Sequence, residues 1–234
     1  MKKKWHHHGK KVWEFFWESN SAWSWVANII IAFLLIRYVV YPVLGIVLGT
    51  GYPIVAVVSE SMDHSITPAC VLEDKQNGVC LQYSQEYQHL CGERFSEFHD
   101  SYNHYWEICG GWYEENEISK EQFSRFPFQK GFYKGDVIVL WRANNLDVGD
   151  VLVFQGNKPQ PIIHRIVKVW QEEGETFYQT KGDHNSDTIA GDLGEEKISE
   201  ERVLGKGLFR IPYLGWMKII FVDAVRPLGI QINR

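Results

Sequence analysis

Two serines spaced two residues apart, one histidine set among β-branched residues, and a loop dense in aspartates are the side chains here that could do chemistry together. Ser59-Glu60-Ser61-Met62 follows a run of small and β-branched residues at 54–58, which reads as a strand. In an extended chain hydroxyls at i and i+2 point to the same face. Ser59 and Ser61 could therefore supply a nucleophile and an oxyanion donor side by side. His164 and Arg165 stand near the start of another β-forming run, residues 162–170. Beyond it comes the polar loop Lys181-Gly182-Asp183-His184-Asn185-Ser186-Asp187, rich in turn formers. A serine, a histidine and an aspartate are the inventory of nucleophile, base and orienting acid. A lone histidine is more often a satisfied structural residue, and a lone Asp183 more often a turn former. Their joint occurrence in this order, beside an apolar span, gives the set its force.

The elements that must position these groups begin with that span. Residues 26–48 are interrupted only by Asn28, Arg37 and Pro42. As a helix they would extend roughly 34 Å, enough for a hydrocarbon core of about 30 Å. Five lysines precede them, and Trp13, Trp17, Trp23 and Trp25 form an aromatic belt on the same side. The segment exceeds a signal-peptide core and lacks a clean small-x-small cleavage site, so it is expected to be a retained anchor in the lipid bilayer. A buried core helix fits that length and flank less well. The positive-inside rule places residues 1–25, a basic and aromatic tail, in the cytoplasm, and the body outside. From Gly49 onward there are 18 basic and 27 acidic residues, an acidic balance that argues against nucleic acid as a partner. Arg37, near the middle of the span, must snorkel, meet lipid phosphate, or pair with an acid on a neighbouring helix. His6-His7-His8 reads most simply as a solvated tail, since three histidines without other ligands make a weak metal site, and no metal or cofactor is expected.

Past the span the chain divides into a body, residues 49–66 and 136–234, and an insert at 67–135. The echo of Gly135-Asp136-Val137-Ile138-Val139-Leu140 in Gly149-Asp150-Val151-Leu152-Val153-Phe154 marks two turn-then-strand units. Further short strands at 162–170, 176–180 and 203–210 make the body mainly β, an antiparallel sheet or open barrel. The tail, residues 214–230, is too charged to span but could lie on a membrane surface. In the insert Phe95, Phe98, Tyr102, Tyr105 and Ile108 recur at helical spacing, and Gly110-Gly111 offers a stop. Ser119-Lys120-Glu121-Gln122 has capping-box form. A helical subdomain packed on aromatics is expected. It holds Cys70, Cys80, Cys91 and Cys109, which lack paired C-x-x-C spacing; their even number in an outward-facing segment favours two disulfides, with three possible pairings.

At these residues the sequence resembles the type I signal peptidases, in the archaeal and endoplasmic-reticulum branch that uses histidine rather than lysine as base. Ser59-Glu60-Ser61-Met62 is similar to its S-x-S-M box, and Val148-Gly149-Asp150-Val151 to its VGD-strand box. Ile162-Ile163-His164-Arg165 is similar to its I-x-H-R box. Thr180-Lys181-Gly182-Asp183-His184-Asn185 resembles its T-K-G-D-x-N box, and Leu204-Gly205-Lys206 with Ile211-Pro212-Tyr213-Leu214-Gly215 its closing boxes. The resemblance implies an anchored serine endopeptidase that removes signal peptides from exported preproteins, with Ser61 as nucleophile and His164 as general base. The backbone N–H of Ser61 and the hydroxyl of Ser59 would form the oxyanion hole. An extended substrate with small residues before the cut would add as a strand beside 54–58 or 137–140, lined by Val55, Val57, Val137 and Val139. Accessory membrane subunits are possible partners. The family's second aspartate normally falls about six residues after that of the KGD box; here the candidates are Asp187, four on, and Asp192, nine on. Asp187 is favoured as the acid that orients His164, with Asp183 as the alternative. Lys181 is expected to stay solvated in its polar loop. The insert has no counterpart in the resemblance, and the rival to an enzyme is an anchored binding module centred on it.

Overall fold

The computed structural model describes residues 13, 17–19, 21–74, 79–98, 101–191, 193–217 and 219–220. The chain falls into two compact units, Met1–Gly51 and Tyr52–Arg234.

The first unit is the apolar helix. Ser21 caps α1, Ala22–Leu35, by accepting a hydrogen bond from the Trp23 N–H. The helix continues through one wide π turn, Ile36–Val40, into α2, Tyr41–Leu48, and stops at Gly49, whose φ of 67° ends it in the left-handed region. Pro42 explains the wide turn: it has no N–H to donate, and its ring crowds the carbonyl one turn back. The continuous helix of 27 residues, Ala22–Leu48, is long and apolar enough to cross a membrane and starts four residues before the apolar run read from sequence. Its apolar side chains, Phe33 and Ile46 among them, are exposed rather than packed on a core. That pattern is an anchor's, with lipid as the missing solvent.

The second unit is built on an open, seven-stranded antiparallel sheet in the order β1-β5-β10-β6-β7-β8-β9. The strands are β1 Ile54–Ala56, β5 Val137–Trp141, β6 Val151–Phe154, β7 Ile162–Glu172, β8 Glu175–Lys181, β9 Ile198–Ser199 and β10 Val203–Ile211. The mainly β architecture read from sequence is the one observed. The alternation within β6 shows why the strand is uniformly apolar. Val151 and Val153 join Val57, Met62, Ile138 and Leu140 in one core, while Leu152 and Phe154 join Ile166, Tyr178 and Ile198 in another. In the echoed turns, Asp136 accepts from the Tyr133 N–H and Asp150 from the Asp147 N–H, so each aspartate closes the turn before its strand.

The insert contains more than helices. It opens as a second, three-stranded sheet, β2 Ile66–Asp74, β3 Val79–Leu90 and β4 Glu93–Phe95, before α3, Tyr102–Glu115, and the short α4, Lys120–Phe123. Phe95, read as helical, lies in β4. Gly110-Gly111 does not stop α3, which runs on to Glu115. Gly110 serves close packing instead: a Cβ there would fall 2.7 Å from Nε1 of Trp106. The capping box forms as read, Ser119 and Gln122 exchanging side-chain and backbone bonds at the start of α4. Tyr105, Trp106, Tyr113, Ile118 and Phe123 pack into an aromatic core with Leu90 and Val167.

One disulfide joins Cys91, in the turn between β3 and β4, to Cys109 in α3. Cys70 and Cys80 lie on β2 and β3, and their side chains fall outside the described residues. The bridge closes a loop with a sequence separation of 18. By loop-closure entropy it should contribute about 3 kcal/mol. Cys91→Ser, Cys109→Ser and the double variant should each lose about that much in urea unfolding under oxidising conditions. A double variant much weaker than either single one would mean that the thiols matter beyond their bond.

Candidate active site

The serine pair sits where the chain leaves β1. Val57 is buried, and backbone bonds from its N–H to the Asp136 carbonyl and from the Gly135 N–H to its own carbonyl carry the pairing past the strand end. Met62, 1% exposed, plugs into the first core and anchors the far side of the turn. Between these anchors Ser59 is exposed and Ser61 half-buried, with their hydroxyl oxygens 3.3 Å apart. The Ser61 carbonyl accepts from the His184 N–H at 3.0 Å, which ties the serine turn to the loop after β8.

His164 lies on β7, opposite Leu152 of β6, and is almost fully buried. Its Nδ1 bonds Oε1 of Glu195. Glu195 is itself fully buried, and its carboxylate also accepts from the Thr180 hydroxyl at 3.3 Å and from the Ile189 N–H at 2.8 Å. A carboxylate can only accept, so Nδ1 donates to it and the opposite ring nitrogen keeps its lone pair free to take a proton. That nitrogen stands over Gly182: a Cβ on this glycine would fall 2.9 Å from His164 Nε2 and 2.6 Å from the Ser61 carbonyl oxygen. Only glycine lets the ring and the serine turn share this spot.

The neighbouring residue, Arg165, is fully buried and points into a different network. Its Nε and Nη2 grip the two oxygens of Asp183 at 2.9 and 2.7 Å. The remaining N–H groups donate to the carbonyls of Pro127, Gly149 and Phe128. Asp183 takes further bonds from His64 Nε2 and the Tyr113 hydroxyl. Burial pushes the Asp183 carboxyl up, but the Arg165 guanidinium and His64 outweigh it and hold the group well below the usual carboxylate range.

Of the acids read from sequence, Asp183 is thus engaged with Arg165, and Asp187 is exposed, accepting from Trp112 Nε1 and the Thr188 N–H. Asp192 lies outside the described residues. The place beside His164 belongs to Glu195, which the sequence analysis did not single out. The missing aspartate in the expected register was the signal for a search further along, among glutamates. Val137 and Val139 are buried on β5, which is paired on both edges with β1 and β10, so that strand has no edge to offer a peptide. Val55 and Val57 belong to β1 and its continuation, and β1 is the terminal strand of the sheet.

Lys181 corrects another expectation, since it is fully buried rather than solvated. Its Nζ donates to the Gly182 carbonyl at 3.2 Å and lies over the rings of Trp112 and Tyr113, both supplied by the insert.

The second unit thus brings together a paired serine, an imidazole gripped by a buried carboxylate, and an open antiparallel sheet. No family model matches the chain. The sequence is 33% identical over 101 residues to the signal peptidase complex catalytic subunit SEC11 of Verticillium alfalfae, covering 41% of this chain and 59% of the relative. It is 35% identical over 98 residues to that of Lachancea thermotolerans (39% and 58%) and 33% over 95 residues to that of Plasmodium falciparum (39% and 52%). The chain therefore spans a little over half the length of these curated relatives. These homologues are members of the type I signal peptidase family, in its endoplasmic-reticulum branch.

Burial of Lys181 has a measurable consequence. Desolvation, opposed by Asp183, draws its ammonium from 10.5 down to about 8. Below about pH 8 it is protonated in both folded and unfolded chains; between about 8 and 10.5 the unfolded chain binds the extra proton, so stability rises with pH across that window. In urea unfolding, wild type should gain stability relative to Lys181→Met between pH 8 and 10.5. A difference that stays flat across the window would mean the amine is solvated.

Proposed function

We propose that this chain is a membrane-anchored serine endopeptidase that removes signal peptides from exported preproteins. The observation that carries it is the convergence at Gly182, where the tip of a carboxylate-clamped histidine and the carbonyl of Ser61 meet around one missing side chain.

Ser61 Oγ attacks the carbonyl carbon of the scissile bond while its proton passes to His164 Nε2. Glu195 holds the Nδ1–H and stabilises the imidazolium that results. Oxyanion charge is met by the Ser61 N–H and the Ser59 hydroxyl, which lies 3.3 Å from Ser61 Oγ. The tetrahedral intermediate collapses, the C–N bond breaks, and Nε2 hands its proton to the leaving amine. Water then hydrolyses the Ser61 ester by the same steps in reverse. The substrate lies extended along β1, where backbone pairing gives affinity and small side chains suit the shallow surface beside the half-buried Val55, Val57 being buried in the core beneath.

The helix Ala22–Leu48 tethers the site to the membrane, with the lysine-rich start on the cytoplasmic side and the body outside. Leu208, Phe209, Tyr213, Leu214, Trp216 and Met217 are exposed and apolar, and suit a body resting on lipid. The relatives are named as subunits of a complex, which supports accessory membrane subunits here too.

The test is cleavage of a model preprotein by the detergent-solubilised full chain. Wild type should cut once after a small residue, and Ser61→Ala should leave no measurable processing. Full activity in Ser61→Ala would refute the mechanism. The acid is tested separately. Glu195→Gln can stabilise the wrong tautomer and should lower turnover by on the order of 10²–10⁴-fold, by analogy with the amide replacement in other triads. Asp187→Asn should stay within a few-fold of wild type. If instead Asp187→Asn were the crippling change, Glu195 would be only a structural acid.

A further inference from the structure

Beside the dyad is a polar group that the mechanism above leaves unused. The side-chain Nδ2 of Asn185 is buried and has no hydrogen-bond partner among the described residues. Its backbone N–H donates to the Gly182 carbonyl at 3.0 Å, closing a four-residue turn that folds the side chain back over the glycine. The missing Cβ of Gly182 would stand 2.7 Å from this Nδ2, beside its near approaches to the Ser61 carbonyl and His164 Nε2. One donor, one backbone acceptor and the catalytic base therefore border the same point. Buried donors are almost always satisfied, and those left open in a folded protein concentrate where a ligand or water completes them.

We propose that Asn185 positions the water that hydrolyses the acyl-enzyme, a step that rests on the reading of Ser61 as nucleophile and His164 as base. A water held in front of Gly182 has four hydrogen-bonding directions. One hydrogen goes to His164 Nε2 and the other to the free lone pair of the Ser61 carbonyl. One oxygen lone pair accepts from Asn185 Nδ2–H, which leaves the last aimed out of the cluster, toward the ester carbon on Ser61. In the reaction the water's O–H bond breaks and its proton goes to Nε2. Its oxygen bonds the acyl carbon, and the C–Oγ bond then breaks as Oγ takes the proton back from Nε2. The acid product leaves and the enzyme is restored with no other reactant. In acylation the same volume lies next to the departing amine, so Asn185 has no comparable task there.

This assigns Asn185 a role confined to the second half of the reaction, which separates it from a structural one. A peptide ester with small residues before the cut acylates fast enough to make deacylation visible. With the full chain in detergent, rapid-quench kinetics and intact-protein mass spectrometry would follow the adduct on Ser61. Asn185→Ala should acylate within about twofold of wild type, deacylate roughly tenfold more slowly, as loss of one hydrogen bond implies, and accumulate the adduct. Asn185→Leu, close in size and without polar atoms, should do the same if the alanine variant folds poorly. Hydroxylamine, a nucleophile stronger than water, should recover the lost rate in both variants. Parallel loss of both steps, or unchanged deacylation, would overturn the proposal while leaving the dyad standing. No adduct on wild type, or an equal adduct on Ser61→Ala, would overturn the dyad and the proposal together.

Discussion

The ion pair between Arg165 and Asp183 is the constraint on which the rest of the site depends. Both side chains have no exposed surface. A guanidinium has five N–H donors in a fixed plane, and here they reach the Asp183 carboxylate and three backbone carbonyls. Burying such a pair is no source of stability by itself, since desolvation offsets much of the attraction; removing one partner, however, strands the other and typically costs 3–5 kcal/mol, on the order of a third of a domain's stability. The pair therefore acts as a lock on geometry. It fixes the loop after β8 from one side, and that loop in turn holds the Ser61 carbonyl through the His184 N–H. Because side chains alternate along a strand, Arg165 can point into this lock while its neighbour His164 turns to Glu195.

The lock also explains why the insert is bound into the site despite being absent from the resemblance. Two of the carbonyls that receive Arg165, those of Pro127 and Phe128, come from the insert's closing turn, and Phe123 and Phe126 lie against the guanidinium face. Tyr113 of α3 donates to Asp183, and Tyr105 donates to the Asp183 carbonyl. The Gly92 N–H, next to the bridged Cys91, donates to the His184 carbonyl. Residues from the turn after β3, from α3 and from the segment after α4 thus touch Asp183, His184 and the Arg165 guanidinium. The insert covers Lys181 and Asp183, and both are fully buried.

What could be read in the sequence follows from what each signal encodes. Short β-forming runs that follow turn residues mark strands, so β5, β6 and β7 were legible, as was the long apolar helix with its lysine flank and the capping box at Ser119. Turn chemistry was legible at Asp136 and Asp150. Pairwise facts between distant segments were not. The β2–β3 ribbon has irregular register, with shifts at three places, so its alternation is broken where the eye would look for it. Gly110 looked like a stop because a glycine's local meaning and its packing meaning are the same letter. Lys181 looked solvated because its polar neighbours in sequence are not its neighbours in space; Trp112 and Tyr113 are.

Glu195 is the sharpest case. Orienting a histidine requires a carboxylate at a point in space and imposes no sequence distance from the base. The connection between β8 and β9 runs from Gly182 to Lys197, and Glu195 re-enters the sheet near its end, where its backbone carbonyl accepts from the Thr180 N–H. From that backbone position the glutamate side chain reaches Nδ1 of His164. A longer side chain has more rotamers to lose, which would loosen the acid if the ring were its only partner. The Thr180 hydroxyl and the Ile189 N–H remove that freedom by holding one carboxylate oxygen each. With both oxygens fixed, the ring is oriented as firmly by a glutamate on a long loop as it would be by an aspartate on a short one.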